Sequence, residues 1–339
     1  MITLLKKAIE LNSNRVHVVS GTIPVCQKYK EIIKISDERT LPPQVYQLID
    51  GVLNEKQKKR FLKDSELLTT IEIDDTYIAR IHIYKQRSTL AISAKILKKK
   101  VSSLEEIGFD LSLLEKLLKQ SSGLIIISGA SDSGKSSTCA AFIHHYLSQG
   151  SLHALRLSET IEKEFIEYPS SIVTQRLQDI DYIQGSSILD SILMSDTDVL
   201  DMGEIKTAQD LRLACELSAK GLLVIASMIA GDIENVLFKS LYCFENFEYF
   251  RKMISENMLA IIHQSYFKNK SKESFFIYEM FRNYPSVQKH IKLANITAIM
   301  SFLEGGGKAD CILYKKAFET LVSENKIHEE EVPRAYSVA

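Results

Sequence analysis

The sequence lacks the features that mark several specialised classes of protein. Its 339 residues carry 42 Lys and Arg against 43 Asp and Glu, a formal net charge of -1, so a protein that simply coats nucleic acid is not expected. No apolar run is as long as a transmembrane helix. Residues 1–10 form an amphipathic pattern rather than the unbroken apolar core of a signal peptide. We therefore predict a cytoplasmic protein that is at most peripheral to a membrane.

Paired cysteines are also missing. The cysteines are scattered and form no C-x-x-C pair, so neither a zinc knuckle nor a disulfide framework is expected. His17, His82 and His263 have no second ligand at metal spacing and are predicted to be structural. The thiols are predicted to be reduced and mostly buried as small apolar side chains: Cys26, Cys139, Cys215, Cys243 and Cys311.

The length and composition are those of a globular protein with about two domains, being 45% hydrophobic and 25% charged. Residues 1–100 read as an α+β domain, with one long helix predicted at 44–63 after the Pro42-Pro43 pair. The stretch Lys98 to Ser103 is predicted to be a linker, and its lysine run to be solvated surface rather than a binding patch. From residue 101 to 339, strands and helices alternate, which predicts a parallel sheet. Helical periodicity dominates after residue 233, apart from one short strand at 275–278, and indicates a C-terminal helical subdomain.

The segment 123–150 carries the clearest chemical signal. An apolar strand at 124–127 precedes G-x-x-x-x-G-K-[ST], and a helix at 136–147 follows, which is the context that a phosphate-binding loop requires. Its backbone N–H groups and the helix N-terminus favour phosphate. Lys135 would reach the β- and γ-phosphates, and the Ser136 hydroxyl would ligate Mg²⁺. The alternative is a glycine turn that binds nothing. The predicted nucleotide-binding residues are Gly129, Ala130, Ser131, Asp132, Ser133, Gly134, Lys135, Ser136 and Ser137.

Such a loop needs a carboxylate to hold Mg²⁺ or to activate water. Glu204 is the best candidate because it comes directly after the apolar strand predicted at 199–202, where a Walker B acid would lie. The alternative is an ordinary surface carboxylate. Asp201 interrupts the same strand, and either faces solvent or supplies a second carboxylate. Glu204 and Lys135 are thus predicted to be catalytic residues. Glu204 and Ser136 are predicted to bind the metal.

Motifs along nearly the whole chain resemble those of the type IV pilus twitching-motility (retraction, PilT-like) ATPases, within the type II/IV secretion-system ATPase family. The segments at 14–21, 54–61 and 79–82 resemble its S-D-L-H-L-S-x-G, N-x-x-Q-x-x-x-F and A-R-F-R. Further on, the matching segments are those at 103–108, 195–198, 203–204 and 211–214.

The resemblance implies an α/β fold: a RecA-like P-loop NTPase domain with a parallel-sheet core, and an N-terminal α+β PAS-like domain. It implies a homo- or hetero-hexamer with PilT-like subunits that binds ATP and Mg²⁺ between subunits. It also implies an inner-membrane pilus or secretion platform protein as partner, with the motor peripheral to that membrane when assembled. The chain lacks the four-cysteine zinc site and the greater length of assembly-type members. Arg80 matches a family position that reaches the neighbouring subunit's nucleotide, and is a candidate catalytic arginine acting in trans.

The sequence departs from the family at positions that carry chemistry. Asp132 replaces a loop glycine, so a carboxylate stands beside the phosphates where φ > 0 is poorly tolerated. Ser158 replaces the first glutamate of I-E-D-P-I-E and cannot act as a base, although Glu159 follows it. Ile229 replaces the histidine of T-L-H-T. Arginines of the family are replaced at Asp190, Met194, Lys206 and Gln288.

Three functions follow from these residues. The first is an ATP-hydrolysing motor subunit of a type IV pilus or secretion machine. The second is a catalytically impaired, nucleotide-binding or structural subunit that regulates an active paralogue, because losing a base or an arginine finger costs about 10²- to 10⁵-fold in rate. The third, a P-loop kinase or nucleic-acid translocase, would need an acceptor site or basic channel that the sequence does not indicate. No nucleic-acid partner is expected.

Overall fold

The computed structural model describes residues 1–28, 31–178, 180–182, 187–242, 247–271, 273–305 and 311–333. The chain divides into two compact units. The first contains Met1–Val101 and the short segment Glu159–Ile166, and the second contains Ser102–Ser158 and Glu167–Ala339. Cys243 and the predicted helix start at residue 186 lie outside the described residues.

The first unit is built on one antiparallel sheet, with strands in the order β3-β2-β1-β6-β5-β4. One face is apolar because side chains alternate along each strand. Val16 and Val18 of β1 pack there with Leu5 of α1, Val45 of α2 and Phe61 of α3. Its elements are α1 (Ile2–Glu10), β1 (Arg15–Val19), β2 (Val25–Lys28), β3 (Glu31–Lys34), α2 (Pro42–Asp50), α3 (Glu55–Asp64), β4 (Glu66–Glu72), β5 (Tyr77–Gln86) and β6 (Thr89–Lys98).

The second unit begins with two short helices and then alternates strands and helices. Its first half contains α4 (Leu104–Ile107), α5 (Leu111–Leu118), β7 (Gly123–Gly129), α6 (Lys135–Gln149), β8 (His153–Ser158), β9 (Ile172–Leu177), α7 (Ser187–Leu193) and β10 (Val199–Glu204). Its second half contains α8 (Ala208–Ala219), β11 (Leu223–Ile229), α9 (Ile233–Tyr242), α10 (Phe247–Asn257), β12 (Met258–Lys268), β13 (Ser274–Arg282), α11 (Pro285–Lys292), α12 (Ile296–Glu304), α13 (Tyr314–Ser323) and a 3₁₀ turn at Glu329–Glu331.

These strands form one sheet in the order β13-β12-β7-β11-β10-β8-β9, parallel except for β13, which runs antiparallel to β12. Every residue of β7 is buried, as expected for a central parallel strand covered on both faces. The carboxyl ends of β7, β8, β10 and β11 therefore meet at one edge, where ligands bind in open α/β sheets. The predicted α/β fold class is confirmed.

Several predictions about individual elements are wrong. The single helix at 44–63 is two helices, and α2 begins at Pro42 rather than after the proline pair, because proline fits the first helical turn. Asn54 begins α3 by accepting a hydrogen bond from the N–H of Gln57, 2.9 Å away. Strands β2, β9 and β12 were not predicted. The described residues after 233 contain five helices, in line with the periodicity there, but they also contain β12 and β13, whose long antiparallel ladder joins the main sheet beside β7.

The lysine run at the end of β6 is solvated only in part, because Lys98 and Lys100 are exposed but Lys99 is buried. The Lys99 side chain is only 8% exposed, and its ammonium lies 3.2 Å from Glu72 and 3.4 Å from Glu164. Lys163 donates to the carbonyls of Lys98 and Lys100. The run is thus part of the first unit, where it contacts the Glu159–Ile166 segment. Within the described residues, no helix is both long and apolar enough to cross a membrane.

Candidate functional site

The loop between β7 and α6 has the backbone shape that its glycines allow. Gly129 (φ 150°) approaches the backbone of β12 so closely that a Cβ there would collide with the Gln264 carbonyl oxygen. Gly134 (φ 88°) is the residue before α6 and places no side chain over the helix N-terminus. Asp132 adopts φ 65° and is exposed. The expectation that a positive φ would be poorly tolerated here is therefore wrong, because Asp132 adopts it, and aspartate is one of the few residue types other than glycine that do so readily.

Lys135 lies at the first position of α6 and folds back over its own loop. Its ammonium donates to the carbonyl of Ala130 at 2.8 Å and to that of Gly129 at 3.1 Å. Burial lowers the pKa of this ammonium, and the nearby negative charge of Glu204 partly opposes that effect. A cation held in this way beside the N-terminus of a helix is suited to an anion.

A second polar group points into the loop. The Ser133 hydroxyl is buried and, within the described residues, has no hydrogen-bond partner. The Ser133 carbonyl accepts a 2.5 Å hydrogen bond from the side-chain amide of Gln264, which ties the loop to β12. Ser136 is exposed in the first turn of α6, followed by half-buried Ser137. Ser131, like Ala130, is exposed. An oxyanion would give the buried Ser133 hydroxyl an acceptor, so the loop fits a phosphate group.

Glu204 is the last residue of β10 and lies at the same sheet edge as the loop, because β10 is separated from β7 only by β11. Its side chain is half-buried. Asp201 does not face solvent: it is 2% exposed and forms an ion pair with Arg156 of β8, with Nε and Oδ2 3.0 Å apart. Burial raises the pKa of the Asp201 carboxyl, while the Arg156 guanidinium opposes this.

Arg80 belongs to the first unit. It lies on β5, and its Nη1 is 2.7 Å from Oε1 of Glu162, which also accepts a hydrogen bond from the Thr160 hydroxyl at 3.1 Å. Glu162 is the last residue of the segment that resembles I-E-D-P-I-E. The described contacts therefore pair Arg80 with a carboxylate of its own unit.

The substituted positions have distinct surroundings. Ser158 ends β8, and within the described residues its buried hydroxyl has no hydrogen-bond partner. Ile229 ends β11 directly beside Gly129 of β7 and is 42% exposed, which is unusual for isoleucine. The other substituted positions are exposed or half-buried: Asp190, Met194, Lys206 and Gln288.

A protein-only metal cage is not found in the part of the chain that the structure describes, since no group of three or more His, Cys, Asp or Glu side chains could hold an ion. Mg²⁺ at nucleotide sites usually takes one or two protein ligands and completes its shell with phosphate oxygens and water. Ser136 and Glu204 are oxygen donors of that kind, and they fit such a partial site.

Two side chains that hold the loop were not predicted as site residues. Gln264 lies on a strand that was itself missed. Arg156 was overlooked although the sequence carries a usable signal. It interrupts the apolar strand at 152–157 just as Asp201 interrupts the next one, and opposite charges in two such strands indicate a buried ion pair. His263, which is predicted to be structural, is buried, and its Nδ1 lies 3.0 Å from the Ser128 hydroxyl of β7.

Comparison with known proteins agrees with this geometry. The family model described as "Type II/IV secretion system protein" matches residues 83–301. The type IV pilus retractation ATPase PilT of Pseudomonas aeruginosa is 24% identical over 334 residues, covering 96% of this chain and 95% of that protein. A twitching motility protein of Neisseria gonorrhoeae is 24% identical over 315 residues, covering 92% of this chain and 83% of that protein.

Solved structures show the same fold. The pilus retraction motor PilT with bound ADP superposes with a TM-score of 0.83 at 21% identity, covering 96% of this chain and 93% of that one. The ATPase DotB of Legionella pneumophila gives 0.81 at 17% identity, covering 96% and 92%. The resemblance to PilT-like proteins found in the sequence is thus confirmed. Since the family model spans more than half of its residues, this chain belongs to the type II/IV secretion system protein family.

Proposed function

We propose that the protein is an ATP-binding and ATP-hydrolysing motor subunit of a type IV pilus or secretion machine, of the retraction type. The observation that carries this proposal is the loop between β7 and α6. There, the Lys135 ammonium lies at a helix N-terminus beside the buried Ser133 hydroxyl, which has no hydrogen-bond partner among the described residues. A turn that binds no ligand would not require a buried ammonium or a buried hydroxyl, whereas a phosphate-binding loop uses both.

ATP would bind with its phosphates in the loop formed by Gly129 to Ser137. The Lys135 ammonium would exchange its bonds to the Gly129 and Ala130 carbonyls for bonds to the β- and γ-phosphates. Ser136 and Glu204 would hold Mg²⁺, which neutralises charge that develops on the transferred phosphoryl group. Glu204 would also orient the attacking water, as its place at the end of β10 allows.

The proposed assembly is supported by the likeness to a pilus retraction ATPase. PilT of Pseudomonas aeruginosa is a type IV pilus retractation ATPase by name, and this chain aligns with nearly its whole length. We therefore infer a homo- or hetero-hexamer with PilT-like subunits, in which Arg80 of one subunit serves the nucleotide of the next. The ring would be cytoplasmic and would contact an inner-membrane platform protein.

Steady-state ATP hydrolysis by the purified protein tests the motor proposal. Glu204→Gln keeps the side-chain shape and removes the charge, and we expect turnover to fall at least about 10²-fold. Glu319→Gln, an exposed change on α13, is the matched control and should leave turnover unchanged. Absence of turnover in the unmodified protein would overturn the motor proposal, whether or not the protein binds ATP.

A second function is favoured by Ser158 and Ile229, which replace a candidate base and a polar sensor. It is a nucleotide-binding subunit that regulates an active paralogue. On this alternative the purified protein binds ATP without turnover, and it changes the hydrolysis rate of an active PilT-like ring when the two are mixed. Binding without turnover, combined with an unchanged rate in the mixture, would exclude it.

A further inference from the structure

A buried ion pair lies inside the sheet below the phosphate loop. Asp201 of β10 and Arg156 of β8 are direct partners in the parallel ladder between these strands. They are 2% and 6% exposed, and Arg156 Nε lies 3.0 Å from Asp201 Oδ2. A buried pair of this kind is not required for stability, since well-packed apolar residues are often as stabilising or more so.

The second carboxylate oxygen of Asp201 binds the backbone rather than Arg156. Oδ1 accepts a hydrogen bond from the N–H of Gly203 at 3.0 Å. The register between β10 and β11 shifts between Asp201 and Glu204, and Gly203 has φ 80°. Bulges of this kind redirect the side chain that follows them. Asp201 therefore fixes the backbone distortion immediately before Glu204.

Arg156 extends from the same ion pair to the other side of the site. Its Nη2 donates to the carbonyl of Ser136, 3.5 Å away, in the first turn of α6. Cys139, one turn further along α6, is fully buried, and burial together with the Asp201 charge raises the pKa of its thiol. Both charges thus lie directly against the start of α6.

From this chain of contacts, we propose that Arg156 and Asp201 are positioning residues that hold Ser136 and Glu204 in a fixed relation to each other. The path runs from the Ser136 carbonyl through Arg156 and Asp201 to the Gly203 N–H beside Glu204. The two candidate Mg²⁺ ligands come from different elements, and rigid support of that kind typically changes metal affinity or activity by about 10- to 100-fold. The metal-related part of this inference rests on the proposed ATPase function.

Two double variants separate positioning from stability. Removing one partner alone would leave a buried charge and endanger folding. Arg156→Met with Asp201→Leu instead makes the site apolar and removes the acceptor of the Gly203 N–H. Arg156→Met with Asp201→Asn is matched to it, because asparagine can still accept that hydrogen bond. The Arg212–Glu216 pair on α8, whose side chains are 58% and 26% exposed, supplies the control, Arg212→Met with Glu216→Leu.

Amide hydrogen exchange without nucleotide is the first measurement. We expect the Gly203 amide to exchange about tenfold faster in the leucine variant than in the unmodified protein. It should remain protected in the asparagine variant and in the α8 control. Unchanged exchange at Gly203 in a folded leucine variant would overturn the inference, whether or not the protein hydrolyses ATP.

ATP turnover is the second measurement. With the loop intact, we expect the leucine variant to lose about 10- to 100-fold in kcat with little change in the KM for ATP, and a higher Mg²⁺ concentration to be needed for half-maximal rate. The asparagine variant should recover part of the loss. Equal kcat in all variants would overturn the positioning role while leaving the ATPase proposal intact. An unmodified protein that binds no nucleotide would refute the ATPase proposal, and the exchange result would still decide the positioning role.

Discussion

Lys135 shows how a single side chain can be tested at this site. Its ammonium makes two hydrogen bonds to loop carbonyls, and bound phosphate would replace them with charge-assisted bonds worth about 1.5–3 kcal/mol. Lys135→Ala should therefore weaken ATP binding by at least about 10- to 100-fold, measured by titration calorimetry. Lys252→Ala, an exposed lysine on α10, should bind ATP normally. Unchanged ATP affinity in Lys135→Ala would refute the assignment of the phosphate loop.

Ser158 offers a gain-of-function test. It stands where the resembling family has a glutamate, and its hydroxyl is buried at the end of β8. If hydrolysis is limited by a missing base, Ser158→Glu should raise kcat by about 10²-fold, measured by phosphate release. Ser158→Gln has the same size without a base and should give no increase. Equal rates in the two variants would show that the serine is not what limits the reaction.

The sequence predicts residues whose role follows from a local pattern. Lys135 and Ser136 are predicted by the spacing of their motif, and Glu204 by its place after an apolar strand. Arg156 and Gln264 depend on which strands become neighbours, because both act across the sheet. Asp201 lies between these cases: its position inside an apolar strand marked it as unusual, but only the pairing of β8 with β10 gives it a partner.

The same distinction holds for whole elements. The strand–loop–helix unit of β7 and α6 is local, and its predicted bounds differ from the observed ones by one or two residues. Strand β12 was missed because its apolar residues 258–262 follow α10 without a turn signal, and its strand character comes from pairing with β7 and β13. The break between α2 and α3 depends on the cap at Asn54. The apolar periodicity continues through both helices, so the pattern alone does not reveal this cap.

The contact between α13 and β13 includes a buried carboxylate, so its stability should depend on pH. The Glu279 carboxylate on β13 accepts a 3.1 Å hydrogen bond from the N–H of Tyr314, the first residue of α13. Burial, and to a smaller extent the charge of Asp232, raise the pKa of Glu279 from 4.5 to about 7, although the Tyr314 N–H opposes this. The folded protein thus binds this proton more tightly than the unfolded chain does.

Because the pKa of Glu279 is raised on folding, the free energy of unfolding should fall as the pH rises from about 4.5 to about 7. The total decrease should be about 3 kcal/mol. Glu279→Gln keeps an acceptor for the Tyr314 N–H and removes the titration. In urea unfolding it should match the unmodified protein near pH 4.5 and be about 3 kcal/mol more stable at pH 8. Glu319→Gln, exposed on α13, should show no such difference. A constant offset between Glu279→Gln and the unmodified protein at every pH would argue against a raised pKa.

At the level of the whole molecule, the two units carry different parts of the proposed reaction. Arg80 belongs to the first unit and Lys135 to the second. In a ring, an arginine acting in trans and a lysine acting on its own subunit's nucleotide need not come from the same chain. Two inactive variants should therefore complement each other when their subunits mix, which an arginine acting in cis would not allow.

Arg80→Ala and Lys135→Ala should each be inactive alone. Mixed in equal amounts under conditions that allow subunit exchange, they should regain turnover at about one quarter of the unmodified rate per subunit, because about one quarter of random interfaces join an intact Lys135 to an intact Arg80 of the neighbour. Lys135→Ala mixed with the Arg80→Ala, Lys135→Ala double variant should remain inactive. Glu162→Gln should retain activity, since it releases Arg80 from its ion pair without removing it. Recovery in none of the mixtures, from subunits that demonstrably exchange, would place Arg80 outside the reaction or confine it to its own subunit's site.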